Sequence, residues 1–318
     1  MAPAPDSVPG TTPVPATAPA RAPSAAHSAF VYRPTADPMT AATWTQRRVL
    51  VTNLRALYGR AYPRLIGLRR EPSWLFFEVL LPFLTTSAFV FVYRALQAPP
   101  EYIGFVVLGG AMTAFWLNVM WMMAAQLYWE KDQGNLDLYF TTPISLMSVL
   151  FGMAVGGLLS SCLRASIVLV VGSALYGVSF AIQDWFLLLA VFFLTLTALY
   201  GLGMVLASLF LLFGREAWHL SQAMQEPVYF VSGLNFPVGQ LGMLGALAIS
   251  LIPLAVGLDA MRQLAFSGSD AHTGTPSPGV EALMLVAMTV VFIGFARFML
   301  KRLERMAREQ GKLSVRGG

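Results

Sequence analysis

Polar side chains inside long apolar runs are the residues of this sequence whose types and spacing could support chemistry. Arg164 follows two serines in one such run, Glu226 precedes Pro227 in another, and Asn118 lies in a third. Polar groups are costly in lipid, so they are expected to line a pathway, face a watery cavity or pair with each other. Arg164 is predicted to pair with Glu226 or to face a polar cavity; a purely structural pair and a place near the inner interface are the alternatives.

The other polar candidates also keep two interpretations. Glu226 and the carbonyl freed by Pro227 could line a path, or the pair could simply break a helix. Asn118 lies among methionines and tryptophans, a pliable surface that suits varied apolar cargo but equally suits packing or lipid contact. Glu78 comes soon after the start of its apolar run, which favours an interfacial position.

No recognisable catalytic or nucleotide-binding motif accompanies these residues. A phosphate-binding loop needs Gly-Lys followed by Ser or Thr, and Gly311-Lys312 is followed by Leu313. The three histidines and the single cysteine are too dispersed for a metal site or a catalytic pair. The sequence therefore disfavours an enzyme and predicts no cofactor bound by this chain.

The composition is that of a membrane protein. Of the 318 residues, 56% are hydrophobic and 12% are charged, against roughly a quarter charged in soluble domains. The formal charge of +5 comes from Lys and Arg beside apolar segments, and they form no patch with interleaved aromatics. We therefore expect a membrane surface, and no nucleic acid, as the partner of these charges.

The first part of the chain differs from the rest. Residues 1–42 are rich in Pro and Ala and are predicted to form a disordered cytoplasmic tail, either a docking arm or an extension without a role. Residues 43–318 are predicted to form the transmembrane domain. It begins with a basic amphipathic helix in the membrane interface, which contains seven arginines between Arg47 and Arg70 and is interrupted by Pro63.

The predicted fold is an all-α membrane protein with six transmembrane helices and a re-entrant outer element between spans 5 and 6. Thr142 and Pro143 resemble the N-cap and first turn of the third span, and Gly152 with Gly156 predicts a close helix contact. The predicted spans are about 74–96, 103–127, 144–178, 185–213, 217–232 and 281–300, with the re-entrant segment at 238–266.

Charge asymmetry selects this topology. With six crossings and both termini cytoplasmic, the inner segments that flank the spans carry 15 of the 21 Lys and Arg residues. A seventh crossing would place the basic C-terminal segment on the outer side. The predicted location is the plasma or inner cell membrane.

Two segments carry a family resemblance. The inner loop 129–143 contains an acidic-basic pair, then Gly, a polar residue and Leu, and a Thr-Pro a few residues later. This loop resembles the one between the second and third spans of type-2 ABC exporter membrane subunits. The matching residues are Glu130, Lys131, Gly134, Leu136, Thr142 and Pro143, while Asn135 and Asp137 stand where the family commonly has Thr and Glu.

The outer segment Ser232-Gly233-Leu234-Asn235-Phe236-Pro237 is similar to the turn after the family's fifth span. The resemblance covers the chain from about Thr43 to its end. It implies a dimeric permease subunit, paired with a second copy or a paralogue, that exports a drug, lipid or glycolipid. ATP and magnesium would be held by a separate ATP-binding cassette subunit.

The resemblance also implies roles for particular residues. Glu130, Lys131, Gly134 and Asp137 would couple the chain to the ATP-binding subunit. Apart from the resemblance, the possible translocation path consists of the polar residues Asn118, Arg164 and Glu226, together with Phe236 of the outer segment. The alternative from another class is a nucleotide-independent carrier or an intramembrane enzyme with Arg164 and Glu226 as its polar centre. A membrane scaffold that only anchors partners is a third interpretation.

Overall fold

The computed structural model describes residues 46–136, 139, 144–214, 216–243, 245, 247, 251–266 and 276–310. Over these residues the fold is helical, and its only β pairing is an isolated bridge between Ala181 and Phe266. This confirms the predicted all-α class. The predicted tail 1–42, Asp137, Thr142 and Pro143 lie outside the described residues.

The helices are α1 (Gln46–Arg70), α2 (Pro72–Ala95), α3 (Glu101–Leu117), α4 (Gln126–Asp132), α5 (Leu146–Tyr176), α6 (Trp185–Phe213), α7 (Glu216–Val231), α8 (Pro253–Ala265) and α9 (Pro278–Gln310).

Five of the described helical stretches are long and apolar enough to cross a membrane. The predicted crossing at 217–232 corresponds to α7, whose 16 residues give a length of about 24 Å, against a hydrocarbon core of roughly 30 Å. This crossing, the fifth in chain order, therefore stays a prediction. The five stretches are Leu75–Ala95, Glu101–Asp132, Leu146–Tyr176, Trp185–Phe213 and Pro278–Met306.

The basic helix α1 is continuous through Pro63 and packs lengthwise against the first third of α5. A Cβ added at Gly152 would meet the backbone of Leu57, and one at Gly156 would meet Ala61. This confirms the predicted close contact at the two glycines, since only glycine lets the backbones come so near. The two helices run parallel, and the interfacial position predicted for α1 stays a prediction.

Thr142 and Pro143, the predicted N-cap and first turn of the third span, lie outside the described residues, and the helix described in this span is α5. The helix begins at Leu146, and the Ser145 side chain accepts a hydrogen bond from the Ser148 backbone N–H at 3.1 Å. Asn53 of α1 in turn accepts a hydrogen bond from the Ser145 N–H at 3.3 Å. The tertiary contact with α1 therefore places the cap at Ser145, a choice that local sequence preference does not reveal.

The second predicted span, 103–127, is regular only in its first half. After α3 the chain forms a π-helical segment, Asn118–Met123, and then continues into α4. The Ala124 N–H donates to the Val119 carbonyl five residues earlier, the hydrogen bond that defines this geometry. A π-helical turn contains one residue more than an α-helical turn, and this rotates the side chains that follow. Asn118 therefore marks a change in the face that the helix presents.

The core is built around α6, which packs on both α9 and α8. Gly257 of α8 lies against Thr195 of α6, where any added Cβ would collide with the threonine side chain. The predicted re-entrant segment 238–266 contains a short 3-10 helix, Val238–Leu241, and the buried helix α8. Irregular backbone of this kind needs protein around it at membrane depth, and α8 has that cover.

Candidate functional site: the inner loop and an adjoining polar cavity

The loop between the second and third predicted spans has an exposed tip and a buried base. α4 ends at Asp132 and is followed by a turn through Gln133, Gly134 and Asn135. Asp132, Gln133 and Gly134 are exposed, and Lys131 is partly exposed. The tip therefore offers charged and polar groups to a partner.

Glu130 forms the base of the loop and is only 4% exposed. Its carboxylate makes an ion pair with Arg60 of α1 at 2.5 Å and accepts a hydrogen bond from the Tyr139 hydroxyl at 2.8 Å. The Arg60 guanidinium also lies over the Tyr139 ring, 5.1 Å from its centroid. These contacts join both sides of the loop to α1.

The predicted coupling residues therefore fall into different environments. Lys131 and Gly134 are accessible at the tip, whereas Glu130 faces the interior and holds the loop against α1. Asp137 lies outside the described residues. Gly134 adopts a φ of +76° and accordingly suits a tight turn that other residues would strain.

A polar cavity of about 180 Å³ lies next to this region, where α1, α2, α5 and the π-helical segment meet. Its lining grades from exposed Glu71 through partly exposed Arg64 and Glu78 to buried Asn118 and Arg164. The cavity thus runs from the protein surface into the helix bundle. It brings together two of the predicted path residues, Asn118 and Arg164.

Arg164 is paired inside this cavity, and its partner is Glu78. Arg164 Nη1 lies 2.5 Å from a Glu78 carboxylate oxygen, and its Nη2 donates to the hydroxyls of Ser160 and Ser161 at 3.3 and 3.1 Å. The observed partner of Arg164 is Glu78 and not Glu226; Arg164 also borders the cavity, so both a structural pair and a role in a path stay open predictions. Glu78 precedes Arg164 by 86 residues, so sequence spacing alone did not suggest the pair.

Asn118 occupies the cavity because of the break at the end of α3. Its side-chain oxygen accepts a hydrogen bond from the Tyr200 hydroxyl of α6 at 3.2 Å, which leaves its amide nitrogen unused by that bond. Gly157 of α5 lies beside the same oxygen, close enough that a Cβ there would collide with it. Helix irregularities of this type are frequent at functional sites.

The other two predicted path residues lie elsewhere. Glu226 is exposed on α7, where its contact is with the neighbouring Gln225 amide at 3.3 Å. Phe236 is partly buried in the outer turn and meets Phe230 edge to face, with 5.6 Å between ring centroids. The chain by itself therefore does not assemble the four residues into one site.

Sequence reasoning missed the buried arginine that organises the outer turn. Arg262 of α8 is fully buried and donates to the backbone carbonyls of Gly233, Leu234 and Phe236 at 2.6 to 3.1 Å. A further hydrogen bond of 2.8 Å reaches the Phe105 carbonyl of α3. The signal available in the sequence was a lone cation in an otherwise largely apolar stretch.

Comparison with known families agrees with the loop and the helical architecture. No curated protein matches the chain significantly. Residues 64–266 match the family described as ABC-2 type transporter. This region contains the loop at Glu130, the polar cavity and the outer turn, and it spans more than half of the chain. The chain therefore belongs to the ABC-2 type transporter family and is a membrane permease subunit.

Proposed function

We propose that this permease subunit exports an amphipathic or hydrophobic compound, such as a drug, lipid or glycolipid, across the cell membrane. A separate ATP-binding cassette subunit hydrolyses the ATP and holds its magnesium. The single observation that carries this proposal is the loop at Glu130, a charged tip anchored to α1 within a chain of this family. Both termini are proposed to be cytoplasmic, on the side of this loop.

The loop geometry supports a mechanical coupling. The ATP-binding subunit contacts the tip at Lys131 and Gly134, with Asp137 as a further proposed contact. Glu130 does not touch the partner in this scheme and acts as a positioning residue through Arg60. Because the bundle interior is densely packed, a push on the tip moves α1 and α5 together and does not deform the loop alone.

A second permease copy, or a paralogue, is proposed to complete the translocation path. The isolated chain leaves Glu226 and Phe230 exposed on α7, a helix with little cover from the rest of the fold. A partner packed on this face would bury Phe230 and bring Glu226 and Phe236 towards the interface. The fifth predicted span, 217–232, is proposed to run along the same face and to end in the turn at 232–237.

The nucleotide-independent carrier or intramembrane enzyme gains no support from the geometry. Its proposed polar centre required Arg164 and Glu226 together, whereas Arg164 is paired with Glu78 and Glu226 is exposed on another helix. No observation on the described residues favours that function over export.

Glu130→Gln tests the coupling. With the ATP-binding subunit in vesicles, we expect transport per ATP hydrolysed to fall roughly tenfold, the effect of losing one charged contact in the working cycle. Arg60→Gln is expected to give the same loss. The charge exchange Arg60→Glu with Glu130→Arg should recover part of the coupling, which a purely local folding defect would not do.

Gly134→Val probes the tip, because a β-branched residue is strained at positive φ while nothing lies within 4 Å of the added Cβ. It should reshape the tip and weaken binding of the ATP-binding subunit, with only a small loss in the thermal stability of the permease because the tip is exposed. Glu101→Gln, at the far end of α3, is the control. Wild-type coupling in both the Glu130 and the Gly134 variants would refute the assignment.

A further inference from the structure

The cavity beside the inner loop contains two charged residues, Arg64 and Glu71, that are not among the proposed path residues. Four ionisable residues line it: Arg64, Glu71, Glu78 and Arg164. Arg164 and Glu78 neutralise each other in their ion pair. Arg64 and Glu71 are left as a cation and an anion that face the same space.

Arg64 is poorly compensated by the protein. Its closest polar contact is a long hydrogen bond of 3.4 Å from Nη1 to the Gln126 side chain, and its Nη2 is buried without a hydrogen-bond partner. Within the described residues no ion pair joins Arg64 to a carboxylate. Burial lowers the pKa of Arg64 below its usual value, as expected for a cation that lacks compensation. A buried charge in this state favours an anionic ligand.

Glu71 gives the mouth of the cavity the opposite charge. It lies seven positions after Arg64, at the junction of α1 and α2, and is exposed. The junction keeps helical hydrogen bonding, from the Glu71 N–H to Gly67 and from Leu75 to Glu71, so the two Cα atoms are about 10 Å apart along the axis. A ligand with only negative charge would be repelled at this mouth.

The cavity also lies at a defined level of the membrane. Leu75, where the apolar stretch Leu75–Ala95 begins, is part of its lining, between Glu71 on one side and Glu78 on the other. A span's first apolar residue marks the boundary between lipid headgroups and hydrocarbon. A headgroup in the surrounding leaflet can therefore reach the cavity without leaving its own depth.

We propose that this cavity binds the zwitterionic headgroup of a phosphatidylethanolamine-type phospholipid. The phosphate lies against Arg64 and the Asn118 amide nitrogen, which does not take part in the hydrogen bond with Tyr200. The primary ammonium lies against Glu71. The Arg164–Glu78 pair forms the floor and stays intact. The assignment goes beyond the proposed export function and does not rest on it, because binding needs neither ATP nor a partner subunit.

The test is binding of defined lipids to the purified full-length chain, measured by native mass spectrometry after exchange into detergent. We expect phosphatidylethanolamine to bind more tightly than phosphatidylcholine, whose quaternary ammonium cannot donate a hydrogen bond, and more tightly than phosphatidylglycerol, which lacks the cation. Inorganic phosphate alone should bind weakly. Equal binding of all three lipids would overturn the proposal, and tight binding of inorganic phosphate would identify a free-anion site instead.

Single substitutions separate the two halves of the site. Arg64→Gln should weaken binding of phosphatidylethanolamine and phosphatidylcholine alike, roughly tenfold or more, because a charge-assisted contact to phosphate is lost. Glu71→Gln should keep phosphatidylcholine binding and remove the preference for phosphatidylethanolamine. Arg64→Lys, which keeps the charge, should retain part of the affinity.

Arg55→Gln is the matched control, since Arg55 is an exposed arginine of the same helix. It should leave all lipid affinities unchanged. An equal loss in the Arg55 and Arg64 variants would mean that general attraction of lipid to α1, and not the cavity, accounts for binding. Thermal stability measured for each variant shows whether the fold is retained, and Arg64→Lys keeps the test decisive if Arg64→Gln does not fold.

Discussion

Two buried arginines illustrate how different the inner and outer halves of this permease are. Arg164 is 6% exposed, pairs with a carboxylate and two hydroxyls, and borders a cavity. Arg262 is 0% exposed, and its described acceptors are backbone carbonyls of the outer turn and of α3. Arg164 is thus held by side chains and borders a cavity, whereas Arg262 joins separate backbone segments through hydrogen bonds.

The partners of a buried charge thus separate a candidate binding region from a structural clamp. Around Arg262 the packing leaves no room for a ligand: a Cβ added at Gly109 would collide with the Leu234 carbonyl, and the Phe105 ring lies 5.3 Å from the guanidinium. Around Arg164 the chain instead leaves a cavity, the one for which we propose a lipid headgroup. Substitutions at the two arginines should therefore fail in different ways.

The largest expected effect is from Arg262→Met. Methionine keeps much of the volume but leaves several buried carbonyls without a donor, so we expect a loss of about 3–5 kcal/mol in stability. The measurement is thermal unfolding in detergent. Arg297→Met, at an exposed arginine of α9, is the control and should change little. A stable Arg262→Met variant would mean that the outer turn does not depend on this clamp.

A smaller effect is expected at the Arg164–Glu78 pair, because Glu78 keeps a side-chain exposure of 23% and is partly solvated. Arg164→Met or Glu78→Met alone should cost about 1–3 kcal/mol by leaving one charge unpaired in the bundle. The double variant should recover part of that loss. A double-mutant cycle of unfolding free energies measures the coupling; strictly additive losses would show that the pair contributes nothing.

The sequence predicted the helices well because their boundaries depend on local chemistry. The prediction for 185–213 coincides with α6, where Asp184 caps the helix by accepting from the Leu187 N–H at 2.9 Å. Apolar length and a capping residue are both visible in one segment of sequence. The cap of α5 at Ser145 was not predicted, and its contact with Asn53 comes from a distant helix.

The candidate site was less predictable, since it depends on contacts between segments far apart in the chain. The loop at Glu130 could be recognised, but its ion pair with Arg60 reaches back to α1. The polar character of Arg164 was visible in the sequence, whereas its partner Glu78 had been assigned to the interface. The π-helical segment that positions Asn118 has no sequence signal, because Asn118–Met123 reads as an ordinary apolar helix.

The most direct test of the account is transport by the whole assembly. The wild-type chain would be reconstituted in lipid vesicles with its ATP-binding subunit, and movement of a fluorescent phospholipid analogue and of a hydrophobic cationic dye would be followed with and without ATP. We predict that at least one of these probes moves only when both subunits and ATP are present. Vesicles with the Glu130→Gln variant should hydrolyse ATP with little movement of the probe. Movement at the same rate without ATP, or without the ATP-binding subunit, would contradict it.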